Sequence, residues 1–316
     1  MKAMENGVWR TDALPTPAFR EAAERSRFRG RVSADGRSGF EPEAGRYHLY
    51  VSYACPFAHR VLLARGLMGL EGAIPISVLD PDWGDPSGWM FSDGPMATRD
   101  HVNGFATLPE VYRLADPEFT GRVTVPVLFD RRRRTIVNNE SAEIMRMLEL
   151  EFGAFADPAA DLCPAPLQAE IDEVNAFVGP RINAGVYRAG FAASQEAYDV
   201  AVADLFAALD LLEDRLWQAP YLVGGRLTEA DLRLFATLVR FDAAYYGALN
   251  CNLQRLVDYP RLWAYTRRIY AHPGVAETVR LDHVKRHYYD DHPMINRRIV
   301  PAGPRLDFVL PSAGAA

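Results

Sequence analysis

Tyr53-Ala54-Cys55-Pro56-Phe57-Ala58-His59-Arg60 is the stretch that decides the fold. It follows an alternating run, Tyr47-His48-Leu49-Tyr50-Val51-Ser52-Tyr53, that reads as a strand. It opens an apolar run, Val61-Leu62-Leu63-Ala64-Arg65-Gly66-Leu67, that reads as a helix. Cys55 therefore sits where a strand turns into a helix. Pro56 suits the first helical position, where a missing N–H removes no bond. A cysteine there faces open backbone N–H groups and the positive end of the helix dipole, and both favour thiolate over thiol. His59 and Arg60, one turn on, bring positive charge whose direction the sequence leaves open. The competing reading is an inert buried cysteine; the strand–Cys-Pro–helix context favours the reactive one.

Three residues after Cys55 stands Ala58, not a second cysteine. The site resembles the thioredoxin-type Cys-x-x-Cys with its resolving thiol removed. A monothiol forms a mixed disulfide with a small thiol but closes no internal one.

A chain of 316 residues has room for two ordinary domains and a sizeable core. Apolar content of 49% with 24% charged residues places it among soluble globular proteins. A net charge of −6 argues against nucleic acid as a partner. The first residues lack the apolar core of a signal peptide, and no apolar run is long enough to span a bilayer. Three cysteines, Cys55, Cys163 and Cys251, make no disulfide framework, so a reducing, cytoplasmic setting is expected without membrane attachment.

Residues 1–45 read as an extended arm draped over the fold. Ile74-Pro75-Ile76-Ser77-Val78-Leu79 reads as a second strand, completing a β-α-β unit if it runs parallel to the first. Residues 80–120 read as a long irregular insertion. Its tryptophans, Trp83 and Trp89, either wall a pocket or pack as a satellite cluster. The stretch from Arg122 to Asp130 reads as a strand interrupted by Pro126, which implies an edge, a bulge or a cis bond. Arg131 to Arg134 reads as a solvated hairpin tip, with Thr135-Ile136-Val137 returning. A helix then starts near Asn139-Glu140-Ser141. Ser141 and the first N–H groups either cap the helix or bind a ligand carboxylate, with Glu140 taking an ammonium group; an α-amino acid end suits both.

Residues 153–166 are proline-rich and read as a linker. Beyond it, residues 167–184, 194–217, 228–248 and 260–271 carry helical apolar spacing. Thr228-x-x-Asp231 is a capping box between Leu227 and Leu232. The expected organisation is therefore arm 1–45, α/β domain 46–152 with its 80–120 insertion, linker 153–166, all-helical domain 167–282 and C-terminal extension 283–316. His283 and His287 have the four-residue spacing of a metal pair, but no thiol or glutamate at zinc-enzyme spacing supports one, so no metal is expected.

The order of motifs resembles a glutathione transferase, and more narrowly the Xi class, the glutathionyl-hydroquinone reductases. The resemblance rests on Arg46 to Ser52, Cys55-Pro56-Phe57-Ala58-His59-Arg60, Gly88-Trp89-Met90-Phe91, Gly121 to Leu128 and Asn139 to Ile144. It continues through Gly185 to Ala192, Leu227 to Asp231, Val239-Arg240-Phe241-Asp242 and His287-Tyr288-Tyr289. It implies a thioredoxin-like α/β N-terminal domain followed by an all-α C-terminal domain, and a homodimer formed through the helices. It implies Cys55 as nucleophile, with Trp89, the Val125 backbone, Glu140 and Ser141 holding glutathione as co-substrate. Tyr187 and Tyr288 would face a quinone-derived aromatic thioether. Two departures bear on the hydrophobic substrate site: Phe57 stands where the class has Trp, and residues 243–250 differ from its usual His-Phe-Lys-Cys ending. The implied reaction reduces glutathionyl-hydroquinones. The alternatives are other cysteine-dependent chemistry, such as deglutathionylation or dehydroascorbate reduction, use of a different small thiol, and a non-enzymatic ligand-binding protein.

Overall fold

The computed structural model describes residues 1–25, 27–82, 86–290 and 299–309. Trp83 and the Asp291-His292-Pro293 end of the titratable tail lie outside them. The chain divides into two units, Met1–Ala160 and Asp161–Ala316.

The first unit is built on a four-stranded sheet. Its strands are β3 (Tyr47–Val51), β4 (Ile76–Val78), β5 (Val127–Asp130) and β6 (Thr135–Asn138), in the order β4-β3-β5-β6. They follow a hairpin of β1 (Ala3–Glu5) and β2 (Val8–Arg10). β3 is parallel to β4 and antiparallel to β5, and β5 is antiparallel to β6. The helices are α1 (Pro17–Arg25), α2 (Pro56–Leu67), α3 (Leu108–Ala115) and α4 (Ser141–Glu151). β3 is buried along its whole length, and the α2 side chains from Ala58 to Ala64 are buried around the helix. That is the pattern of elements covered on both sides. α2 packs against α4.

Three features differ from the sequence reading. The 1–45 segment is not extended throughout, since it carries the β1–β2 hairpin and α1. It is also paired: Met4 exchanges both backbone hydrogen bonds with Gly121, at 2.8 and 2.9 Å. The insertion is not irregular throughout, because it contains α3. Thr107 caps that helix and Glu110 returns to the cap, a box with Pro109 in the first turn. Finally, only Val127–Asp130 of the stretch from Arg122 is strand. The Val125–Pro126 bond is cis, and the backbone of Thr124 bonds to a tyrosine hydroxyl rather than to a neighbouring strand.

The second unit is helical: α5 (Gln168–Val178), α6 (Gly185–Gly190), α7 (Gln195–Arg215), α8 (Glu229–Leu238), α9 (Tyr246–Ala248), α10 (Pro260–Tyr270) and α11 (Leu281–Lys285). Wide π-type turns interrupt it at Gly179–Asn183, Phe241–Tyr245 and Arg286–Asp290. The first has a local cause. Pro180 has no N–H for the ladder, and the next turn closes from Ala184 N to Gly179 O at 2.9 Å. The expected capping box is present at α8, where Asp231 accepts from Thr228 N at 2.8 Å and Thr228 Oγ1 at 2.9 Å.

Candidate functional site

Cys55 is the N-cap of α2, with extended backbone angles (φ −76°, ψ 122°) and Pro56 in the first turn. It is half-buried. Its thiol donates to the carbonyl of Val125 at 3.6 Å. The cis-proline loop thus lies directly over the sulfur. Sulfur at a helix N-terminus, beside the backbone of an extended segment, suits nucleophilic exchange with a thiol held in peptide-like fashion. Ala58, the second position of the expected motif, is fully buried.

Glu140 and Ser141 meet at the start of α4. Glu140 is the N-cap, its carboxylate accepting from Ala142 N at 3.3 Å. Ser141 occupies the first helical position. Arg60 comes to this pair from the second turn of α2 and is itself buried. Its Nε donates to Ser141 Oγ at 3.1 Å, its Nη2 bonds the same oxygen, and it lies 3.7 Å from the Glu140 carboxylate. The sequence left Arg60's direction open; the structure turns it to α4. Arg29 approaches from the N-terminal arm, 3.9 Å from Glu140 and 3.8 Å from Glu143. The corner therefore holds two guanidinium groups, two carboxylates, a hydroxyl and a helix N-terminus, which can pair with both charges of an amino-acid end.

Trp89 is buried in the segment that leads into α3, and its carbonyl accepts from Leu108 N at 2.9 Å. Gly88 before it has φ +80°, and a Cβ there would come within 2.6 Å of the Trp9 ring. Only glycine lets the arm's indole lie this close at that backbone angle. Trp9 also donates to Pro86 O at 2.7 Å.

The second unit carries a cluster of tyrosines. The hydroxyls of Tyr187 and Tyr288 are 2.5 Å apart. Tyr288 in turn reaches Tyr245 at 3.4 Å. Burial, and then the neighbouring Tyr187 and Tyr245, hold the Tyr288 hydroxyl well above the ordinary tyrosine range. It stays protonated, as a hydrogen-bond donor must. Tyr245 was missed by sequence reading, although it lies inside the departing 243–250 segment. Ala243, Ala244 and Leu249 of that segment are buried, so part of the departure is core packing. Tyr245 and Tyr288 both sit on π-type turns, which often mark functional positions. Tyr289 beside them places its hydroxyl against Gly247, where a Cβ would come within 2.3 Å of it.

His283 is buried, with Nε2 4.0 Å from Asp282, and His287 lies edge-on to Tyr288 at 5.0 Å. Among the described residues, no group of three ligating side chains includes either histidine. Cys251 is fully buried, and burial pushes its thiol up to about 12, so it is inert at neutral pH.

Known proteins are similar to this chain over nearly its whole length. Residues 54–151 match the profile of the glutathione S-transferase N-terminal domain, and residues 195–268 that of the C-terminal domain. The chain belongs to the glutathione transferase superfamily and, within it, to the Xi class. It is 47% identical to the glutathionyl-hydroquinone reductase PcpF of Sphingobium chlorophenolicum, over 96% of each chain. It is 46% identical to the glutathionyl-hydroquinone reductase YqjG of Escherichia coli K12, over 98% of each. Among solved structures it is similar to a Xi class transferase from Natrialba magadii, with TM-score 0.94, 50% identity, and 99% of this chain and 96% of that one covered. The glutathione-bound structure of YqjG matches with TM-score 0.90 and 45% identity, over 98% of each chain.

Proposed function

We propose that this protein reduces glutathionyl-hydroquinones to hydroquinones at the expense of glutathione. The observation that carries the reading is the lone thiol: Cys55 caps α2 under the Val125 carbonyl, with Ala58 where a resolving cysteine would stand. The names of the relatives supply the substrate class.

Glutathione lies in extended form along Val125, its backbone pairing with that residue. Its γ-glutamyl end takes the Glu140–Ser141 corner, the ammonium on Glu140 and the carboxylate on Ser141, beside Arg60. Trp89 covers the ligand from the insertion. The Cys55 thiolate attacks the glutathionyl sulfur, the S–S bond forms and the aromatic C–S bond breaks. The electron pair of that bond goes to the ring carbon, which takes up a proton and leaves as hydroquinone. A second glutathione thiolate attacks the Cys55 mixed disulfide, releasing oxidised glutathione and regenerating Cys55. Tyr288 and Tyr187 donate to the ring oxygen and supply the proton. The two-thiol stoichiometry follows from Ala58, since no internal thiol competes with the second glutathione. A homodimer in the cytoplasm, where glutathione is abundant and reduced, completes the reading.

The test is turnover of glutathionyl-menadiol with excess glutathione. Free menadiol with one equivalent of oxidised glutathione, lost in Cys55→Ser, supports the proposal. Cys55-dependent reduction of a simple mixed disulfide without menadiol release would assign other thiol-transfer chemistry.

A further inference from the structure

Three separate segments are proposed above to hold glutathione: the Trp89 loop, Val125 and the Glu140–Ser141 corner. One side chain sits behind two of them and grows from the helix that follows the third. Tyr112 lies on α3, fully buried. Its hydroxyl donates to Thr124 O at 2.9 Å and accepts from Thr124 N at 3.2 Å and Asn139 Nδ2 at 3.0 Å. The Thr124 hydroxyl is a longer neighbour at 3.4 Å. A phenol hydroxyl donates one bond and accepts two, so its capacity is filled by these loops. The amide and carbonyl of Thr124 thus turn inward to Tyr112, while the carbonyl of the next residue, Val125, turns to Cys55. Asn139, held by the same oxygen, immediately precedes Glu140. α3 itself starts where Leu108 N bonds to Trp89 O, beside a bridge between Met90 and Thr107. The Tyr112 ring is fixed separately, edge-on to Phe28 at 5.7 Å and to Phe119 at 4.9 Å.

We infer that Tyr112 is a positioning residue for glutathione: its hydroxyl stands in for a partner strand behind Thr124, so that Val125 faces the ligand in register with Glu140. The inference rests on the glutathione reading above. It predicts an effect on affinity that ring packing alone would not give. Tyr112→Phe keeps the ring among Phe28 and Phe119 and removes only the hydroxyl, leaving half-buried groups of Thr124 and Asn139 without this partner.

The experiment is calorimetric titration of the full chain with S-methylglutathione at 20 °C, alongside thermal melting. Wild type binds; Tyr112→Phe binds about tenfold more weakly. Thr124→Val, which keeps the backbone bonds, binds as wild type. A lowered melting temperature with unchanged affinity in Tyr112→Phe would make the residue a packing element only and overturn the inference. If that variant does not fold, Asn139→Ala, which withdraws one of the three bonds, carries the test with a loss of about threefold. Wild-type affinity there overturns it equally. Absence of binding by wild type itself is a different result and removes the glutathione reading.

Discussion

Cys55, Tyr288 and Cys251 show how environment sorts chemically similar side chains. Cys55 caps a helix and is half-buried, whereas Cys251 is fully buried and its thiol is pushed up to about 12. Iodoacetamide at pH 8 is therefore expected to label Cys55 in the native protein and to leave Cys251 untouched until unfolding, as peptide mass spectrometry will read. Replacing Tyr288 with Phe removes the proposed donor and is expected to lower kcat by about 10²-fold or more, with Cys55 alkylation unchanged. Because burial raises the Tyr288 hydroxyl further above its ordinary range, its ionisation contributes no falling limb to the pH–rate profile between pH 6 and 9.5. The place of Cys55 at the start of α2 was legible because strand, Cys-Pro and helix are adjacent in sequence. The partnerships of Arg60 and Tyr245 were not. Periodicity says which face of a helix is apolar, but not which distant segment a buried polar group reaches.

Among the elements, the sheet carries a buried ion pair where β3 starts and β5 ends. Arg46 donates to one Asp130 oxygen at 3.0 and 2.7 Å, and the amides of Arg132 and Arg133 bond the other. Burial pushes the Asp130 carboxyl up, but the Arg46 bonds and these amides outweigh it and hold it below its ordinary 3.8. Since the folded value lies below the unfolded one, this contribution is present above pH 3.8 and is lost as pH falls through the folded value. Arg46→Met strands a buried carboxylate and is expected to cost about 3 kcal/mol in urea unfolding at pH 7. Thr228→Ala at the α8 box is expected to cost about 1 kcal/mol by the same measurement. That box was readable because both partners lie within one turn. The Thr107–Glu110 box had the same form, and the surrounding Gly and Pro concealed it. The tail of the Arg122–Asp130 stretch became strand while its head did not, because Thr124 bonds to a side chain from α3. No local pattern encodes such a contact.

At the scale of the whole molecule, composition and the order of motifs were enough to expect an α/β unit followed by helices. The arm was harder, since residues 1–45 have little periodicity and acquire their shape from the surface they meet. S-methylglutathione is expected to increase amide protection chiefly at residues 86–91, 122–126 and 139–143. Uniform protection across the 161–316 unit instead would contradict the proposed cradle, and hydrogen-exchange mass spectrometry separates the two. The arm is also fastened where that cradle is built. Met4 pairs with Gly121, Trp9 covers Gly88, Phe28 braces Tyr112, and Arg29 reaches Glu140. In a genetic screen for cells starved of glutathione, substitutions in the first thirty residues should therefore emerge as affinity alleles. They would share a phenotype with changes a hundred positions away and complement none of them.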